Sequence, residues 1–151
     1  MRRKENEIQD PSRIQSLIDR ARVLRLGLTG MEGPYIVPMN FAYEDGVFYL
    51  HSAPEGKKID MLRADPRVCL EIDEPGVYED ADDPCEAGFS YASVIAFGKA
   101  ELIVNWSEKS RALSLITRKY SGREHVFSET ECRGVAVIKA ECSEITGKES
   151  R

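Results

Sequence analysis

The chain has 151 residues, a formal net charge of −5, and an ordinary balance of 42% hydrophobic and 31% charged residues. That length fits one domain spanning 1–151, with a core able to stand without disulfides or metal. The acidic balance argues against a general nucleic-acid binder, which needs a basic face, and no run approaches the ~20 apolar residues of a membrane span.

Met1 to Ile8 is not followed by an apolar stretch, so no signal peptide is visible and a cytoplasmic protein is expected. Asp10-Pro11 then reads as an N-cap followed by proline at the first helical position, and Ile14, Leu17, Ile18 and Ala21 keep helical spacing. A helix is predicted over 11–21. From Val23 to Thr29, Leu24, Leu26 and Leu28 alternate with Arg25 and Gly27 as in a strand, and Gly30 to Gly33 forms a turn.

Asp45-Gly46 sits between two runs rich in aromatic and β-branched residues, a strong hairpin signal. A two-residue turn there pairs Glu44 with Val47, Tyr43 with Phe48, Ala42 with Tyr49, Phe41 with Leu50 and Asn40 with His51. Alternation then puts Met39, Phe41, Tyr43, Phe48 and Leu50 on a core face. The opposite face holds Pro38, Asn40, Ala42, Tyr49, His51 and Ala53, a surface on which a ligand could lie. After His51-Ser52-Ala53 comes a Pro-Glu-Gly loop, and Lys57-Lys58 opens a short helix to Ala64. Loop amides, a helix N-terminus and two lysines make an anion site, with at most one lysine facing the anion because adjacent helical positions diverge.

Val68 to Ile72 is the next strand. Glu74 to Gly88 is a long acidic loop, and Phe89 to Val104 is a long strand bent at Gly98. Asn105 and Glu108 resemble a capping box for a helix ending near Gly122. Residues 123–133 read as polar connection, Gly134 to Ala140 as a last strand, and 145–149 as a tail too short to pack alone. Cys69, Cys85, Cys132 and Cys142 form no C-x-x-C pair and the two histidines lack zinc spacing, so neither metal nor native disulfide is expected. Six strands without regular βαβ alternation predict a mainly β fold, a six-stranded antiparallel split barrel with flanking helices; an open α+β sheet is the alternative.

Taken together, V-P-M-N-F (37–41), D-G-V-F-Y-L-H-S-A (45–53), E-G-K-K (55–58), P-R-V-C-L (66–70), Y-A-S-V-I-A-F-G-K-A (91–100) and I-T-G-K-E (145–149) resemble the pyridoxamine 5′-phosphate oxidase-related flavoproteins. Within them the nitroimidazole-resistance (Nim-type) branch is most similar. The resemblance implies a split-barrel homodimer with FMN, less often FAD, in a cleft between subunits. It places flavin contacts on Val37, Pro38, Met39, Asn40, His51, Ser52, Lys57 and Lys58, and on Ser93 and Val94 from the other side of the dimer cleft. It also implies flavin-linked chemistry at His51. The pyridoxamine phosphate oxidases proper carry a C-terminal substrate segment with Trp, Arg and His; the sequence ends in I-T-G-K-E-S-R without that set, so another substrate is expected.

Two function classes follow. The first is a flavin-dependent oxidoreductase passing electrons to a small electron-poor acceptor such as a nitroaromatic or quinone, with His51 as proton donor or acceptor-orienting group. The second is a non-catalytic flavin store or sensor, and a haem-binding relative using His51 or His125 as axial ligand is a minor third. Without the resemblance, a satisfied strand histidine is the simpler account of His51, and a solvated pair that of Lys57 and Lys58.

Overall fold

The computed structural model describes residues 4–150. After a 3₁₀ turn at Lys4–Asn6 come α1 (Pro11–Arg20), β1 (Leu24–Gly30), β2 (Gly33–Met39), β3 (Phe41–Glu44), β4 (Val47–Ser52) and α2 (Lys57–Ala64). Then follow β5 (Arg67–Glu74), β6 (Tyr78–Glu79), β7 (Gly88–Phe89), β8 (Tyr91–Leu102), α3 (Trp106–Ser121), α4 (Glu129–Arg133) and β9 (Ala136–Ser150). Seven strands form one antiparallel sheet in the order β2-β1-β5-β8-β9-β4-β3, and β6 pairs only with β7.

The two edge strands, β2 and β3, are consecutive in the chain with only Asn40 between them. Edges joined by one residue force the sheet to curl until they meet, which makes a barrel of it. The corner is pinned from outside. Asn40 Nδ2 donates to Arg22 O at 3.3 Å, Phe41 N donates to the Tyr120 hydroxyl at 3.0 Å, and that hydroxyl donates to Arg22 O at 2.7 Å.

Local chemistry explains the elements. Asp10 Oδ1 accepts from Ser12 N at 2.9 Å with Pro11 opening α1, and Leu17 and Ile18 are buried. The Asp45-Gly46 turn has φ of 49° and 85°, the positive pair that a two-residue hairpin turn requires. At Gly98 the β8–β9 register shifts, and a side chain there would overlap the Glu141 carbonyl, so this bend admits only glycine. The inner core joins Leu24, Leu26 and Leu28 to Phe41, Phe48, Leu50, Leu70, Ile72 and Ile138 under α1 and α2. A second cluster lies between α3 and the outer face of β3, β4 and β9, where Ala42, Tyr49 and Val137 meet Ala112, Leu113 and Ile116.

Four expectations need correction. The sheet has seven strands, and the described residues hold nine in all, against six expected. The acidic 74–88 segment contains a small hairpin, with Tyr78 opposite Phe89 and the Ser90 hydroxyl accepting from Val77 N at 2.9 Å. The 123–133 connection contains α4, held by a reciprocal capping box between Ser128 and Glu131. The tail is not a separate fragment: β9 runs unbroken to Ser150, its far half paired with β8. Glu141, Ser143 and Glu144 face solvent, so their polarity hides the strand, while its backbone pairs with β8 on both sides of a bulge at Ser143.

Candidate functional site: a histidine, an anion cradle and an apolar cavity

The hairpin register from Glu44–Val47 to Phe41–Leu50 is as expected, but it stops there. Asn40 lies outside the strand, so it does not oppose His51 across the ladder; its amide holds the Arg22 carbonyl. The expected ligand face is also mostly closed. Ala42 and Tyr49 are buried beneath α3, leaving His51 exposed at the margin of the covered patch.

His51 faces Val137 on β9 and borders a cavity of about 400 Å³. Leu113, Ile116 and Thr117 of α3, Phe127 and Glu131 of the α3–β9 connection, and Val135 complete its walls. The lining is thus apolar, with two titratable groups. Glu131 accepts from Ser128 N at 2.8 Å and from the Ser128 hydroxyl at 2.7 Å, and His125 Nε2 lies 3.3 Å from its other oxygen. The Ser128 hydroxyl first, then its amide, and more weakly His125, hold the Glu131 carboxyl below its usual range.

Ser52, the next residue, is buried. Its hydroxyl donates to Ala53 O at 2.9 Å and accepts from Lys58 Nζ at 2.9 Å. Gly56, at φ 116°, precedes α2 and brings no side chain to cap it, so the first amides of the helix are open to an anion. The two lysines diverge. Lys57 Nζ pairs with Glu32 at 2.9 Å and sits 5.1 Å from the centre of the Tyr35 ring, and Glu32 raises its pKa. Lys58 alone turns to the strand end, giving a cradle of one hydroxyl, one ammonium and helix amides.

The remaining expected residues lie elsewhere. Val37 is half-buried, Pro38 is exposed on the outer sheet face opposite Arg25, and Met39 is a core side chain. Val94 is 1% exposed, so only its backbone could meet a ligand. Ser93 faces Asp73 on one side and Lys148 on the other. His51 meets β9 at Val137 but Ser93 meets it at Lys148. At about 3.3 Å per residue, roughly 35 Å of strand separates those points. One chain therefore does not bring Ser93 and Val94 to His51.

Two features were missed. The α4 wall of the cavity had a legible signal, since Ser128-Glu129-Thr130-Glu131 fits the S-x-x-E cap pattern. The other is on the outer sheet face, where Ile36, Gly27, Cys69 and Phe97 stand side by side across β2, β1, β5 and β8. Ile36 is 65% and Phe97 48% exposed, and they flank a shallow groove of about 610 Å³ rimmed by Arg25, Glu71 and Arg67.

This chain is similar to known proteins in sequence and in fold. An uncharacterized protein of Rhizobium meliloti (strain 1021) is 29% identical over 126 residues, covering 75% of this chain and 81% of its own length. Among solved structures, a Bacteroides thetaiotaomicron protein named for 5-nitroimidazole antibiotic resistance is 38% identical with a TM-score of 0.85, covering 95% of this chain and 86% of that one. A flavocytochrome from Azotobacter vinelandii shares the fold at a TM-score of 0.85 and 19% identity, over 100% of this chain and 72% of its own. The sequence model of the pyridoxamine 5′-phosphate oxidase family matches residues 10–149. From the cap of α1 almost to the end of β9, then, the chain follows one family pattern, and it belongs to the pyridoxamine 5′-phosphate oxidase family.

Proposed function

We propose that this protein is a flavin-dependent oxidoreductase that delivers electrons to a small electron-poor acceptor, a nitroaromatic or a quinone. The observation that carries the proposal is the cradle of Ser52, Lys58 and the uncapped start of α2 at the end of β4, the same strand end at which exposed His51, on the opposite face, borders an apolar cavity. Lys58 and the first α2 amides donate hydrogen bonds, the chemistry a flavin phosphate needs, and the Ser52 hydroxyl would join them by turning its one proton away from Ala53 O. FMN fits this set most simply, and FAD would use the same donors for its pyrophosphate. The neighbour named for 5-nitroimidazole resistance favours a nitroaromatic as the acceptor class.

A bound flavin supplies the redox chemistry itself. The chain's own residues bind and orient. Lys58 and Ser52 hold the phosphate end, the α2 amides complete its coordination, and Lys57 stays with Glu32. An imidazole nitrogen of His51 delivers a proton to the acceptor or holds it in line. Leu113, Ile116, Phe127 and Val135 keep water from the acceptor's ring.

A homodimer belongs to the same proposal. The Ala42/Tyr49 face of the hairpin is occupied by α3, whereas the Ile36–Gly27–Cys69–Phe97 row is open and apolar. A second copy on that row gives a two-fold isologous contact. A cytoplasmic location completes the proposal, since all four cysteines are free, as a reducing compartment keeps them.

A haem protein is the second reading, favoured by His51 bordering an apolar cavity and by the fold shared with a flavocytochrome. The absorption spectrum of purified protein, before and after incubation with FMN or haemin, separates the two. Blue and near-ultraviolet flavin bands support the proposal, and a Soret band alone overturns it. Unchanged reoxidation of reduced protein on adding a nitroaromatic would leave a flavin store instead of an enzyme.

A further inference from the structure

The cavity beside His51 is walled on one side by a segment whose geometry is unusually well fixed for a connection. α4 is anchored inward by fully buried Cys132 and at its start by the Ser128–Glu131 capping box. Lys109 Nζ ties the far end by donating to Val135 O at 3.0 Å. Phe127 meets the His125 ring edge-on, with centroids 4.4 Å apart. The result is a slot with Leu113, Ile116, Phe127 and Val135 as apolar walls, His51 in its lining and the Glu131 carboxylate as the one acid there.

A carboxylate used only as a cap needs no cavity in front of it. Here both Ser128 bonds fall on Oε2, while Oε1 has only His125 at 3.3 Å and keeps accepting capacity. An ionised oxygen at the rim of an apolar slot favours a ring with a positive charge or an N–H donor, and the Phe127 ring favours a cation as well. The volume, about 400 Å³, suits a single small ring system.

We propose that Glu131 is a specificity residue of the acceptor pocket, selecting cationic nitrogen heteroaromatics over neutral rings of the same shape. The proposal rests on the reading of this cavity as the acceptor site. Its carboxylate anchors the charged nitrogen, the apolar walls hold the ring, and His51 borders the same cavity.

The test compares 1-methyl-3-nitropyridinium with its neutral near-isostere 3-nitrotoluene. Both are titrated into oxidised, FMN-incubated protein, following the ring-proton NMR signals of His51 and His125, so no turnover is needed. The variant is Glu131→Gln, because glutamine at that position still closes a capping box; thermal melting checks that α4 and the fold survive. Wild type is expected to bind the cation about 5-fold or more tighter than the neutral ring, with both histidine signals moving. In Glu131→Gln the ratio should fall to about 1–2. That range matches the loss of one partly exposed charge-assisted contact. An unchanged ratio in the variant overturns the proposal, as does titration by either probe without movement of the His51 and His125 signals. The functional reading fails separately: colourless protein, or reduced protein indifferent to both probes, removes the oxidoreductase and leaves the titration to decide the pocket.

Discussion

Lys58 Nζ donates to Ser52 Oγ across 2.9 Å, bridging the end of β4 and the first turn of α2 over the four-residue connection between them. Without an anion this bond holds the lysine in place, and with one the same two groups are its natural partners. Lys58→Ala should weaken FMN binding by about 1.5–3 kcal/mol, the worth of a bond to a charged group. Riboflavin, which has no phosphate, should lose little. Lys57→Ala should have a smaller effect on both ligands, because its ammonium is engaged by Glu32. Fluorescence titration of both ligands measures this, and equal loss of FMN and riboflavin in Lys58→Ala would remove the phosphate assignment.

Phe97 and Ile36 are the exposed apolar ends of a row that crosses four strands. Phe97→Asp adds a charge to that row without touching the inner core. The expected outcome is a monomer with a near-native melting temperature, read by sedimentation velocity beside a dimeric wild type. A wild type that stays monomeric at micromolar concentration with flavin bound would dispose of the interface.

The barrel was legible wherever one face of a strand is buried. Leu24, Leu26 and Leu28 alternate with solvent-facing residues, and the Asp45-Gly46 turn fixed the β3–β4 register to the residue. Legibility failed where a segment owes its structure to a neighbour. The last residues of β9 alternate poorly because β8 pairs with their backbone whatever their side chains are. The Ala42/Tyr49 face looked like an open ligand surface because nothing in the hairpin itself announces that Leu113 and Ile116, far along the chain, will cover it. His51, Ser52 and Lys58 were legible as a cluster since they are close in sequence. Glu131 was not, because it reaches the cavity beside His51 only through the packing of α3 and α4.

Lys119 offers a pH test of the clasp between α3 and α1. Its ammonium donates to Ile18 O at 2.9 Å and lies 3.7 Å from the Phe41 ring centre. Burial, reinforced by Arg22 and opposed by Asp19, pulls its pKa from 10.5 down to about 8. The folded state therefore releases this proton before the unfolded state does. Between those values the unfolded chain binds more protons, so this group adds stability as pH rises from about 8 to 10.5 and takes it away as pH falls. Below pH 8 its effect is a constant cost. Urea unfolding of wild type and Lys119→Met across that interval should give a difference that narrows or reverses in favour of wild type toward high pH. A pH-independent difference would show that Lys119 titrates alike in both states.

The central claim is that His51 works on an acceptor beside a flavin held by Ser52, Lys58 and α2. The most direct measurement is anaerobic rapid mixing of FMN-loaded, reduced protein with a nitroaromatic, in wild type and in His51→Ala. His51 is exposed and outside both core clusters, so the variant should keep its fold and its yellow colour. The account predicts reoxidation slowed by about 10- to 1000-fold in the variant, around the usual contribution of a general acid. Equal single-turnover rates in the two proteins, at equal flavin content, would contradict it.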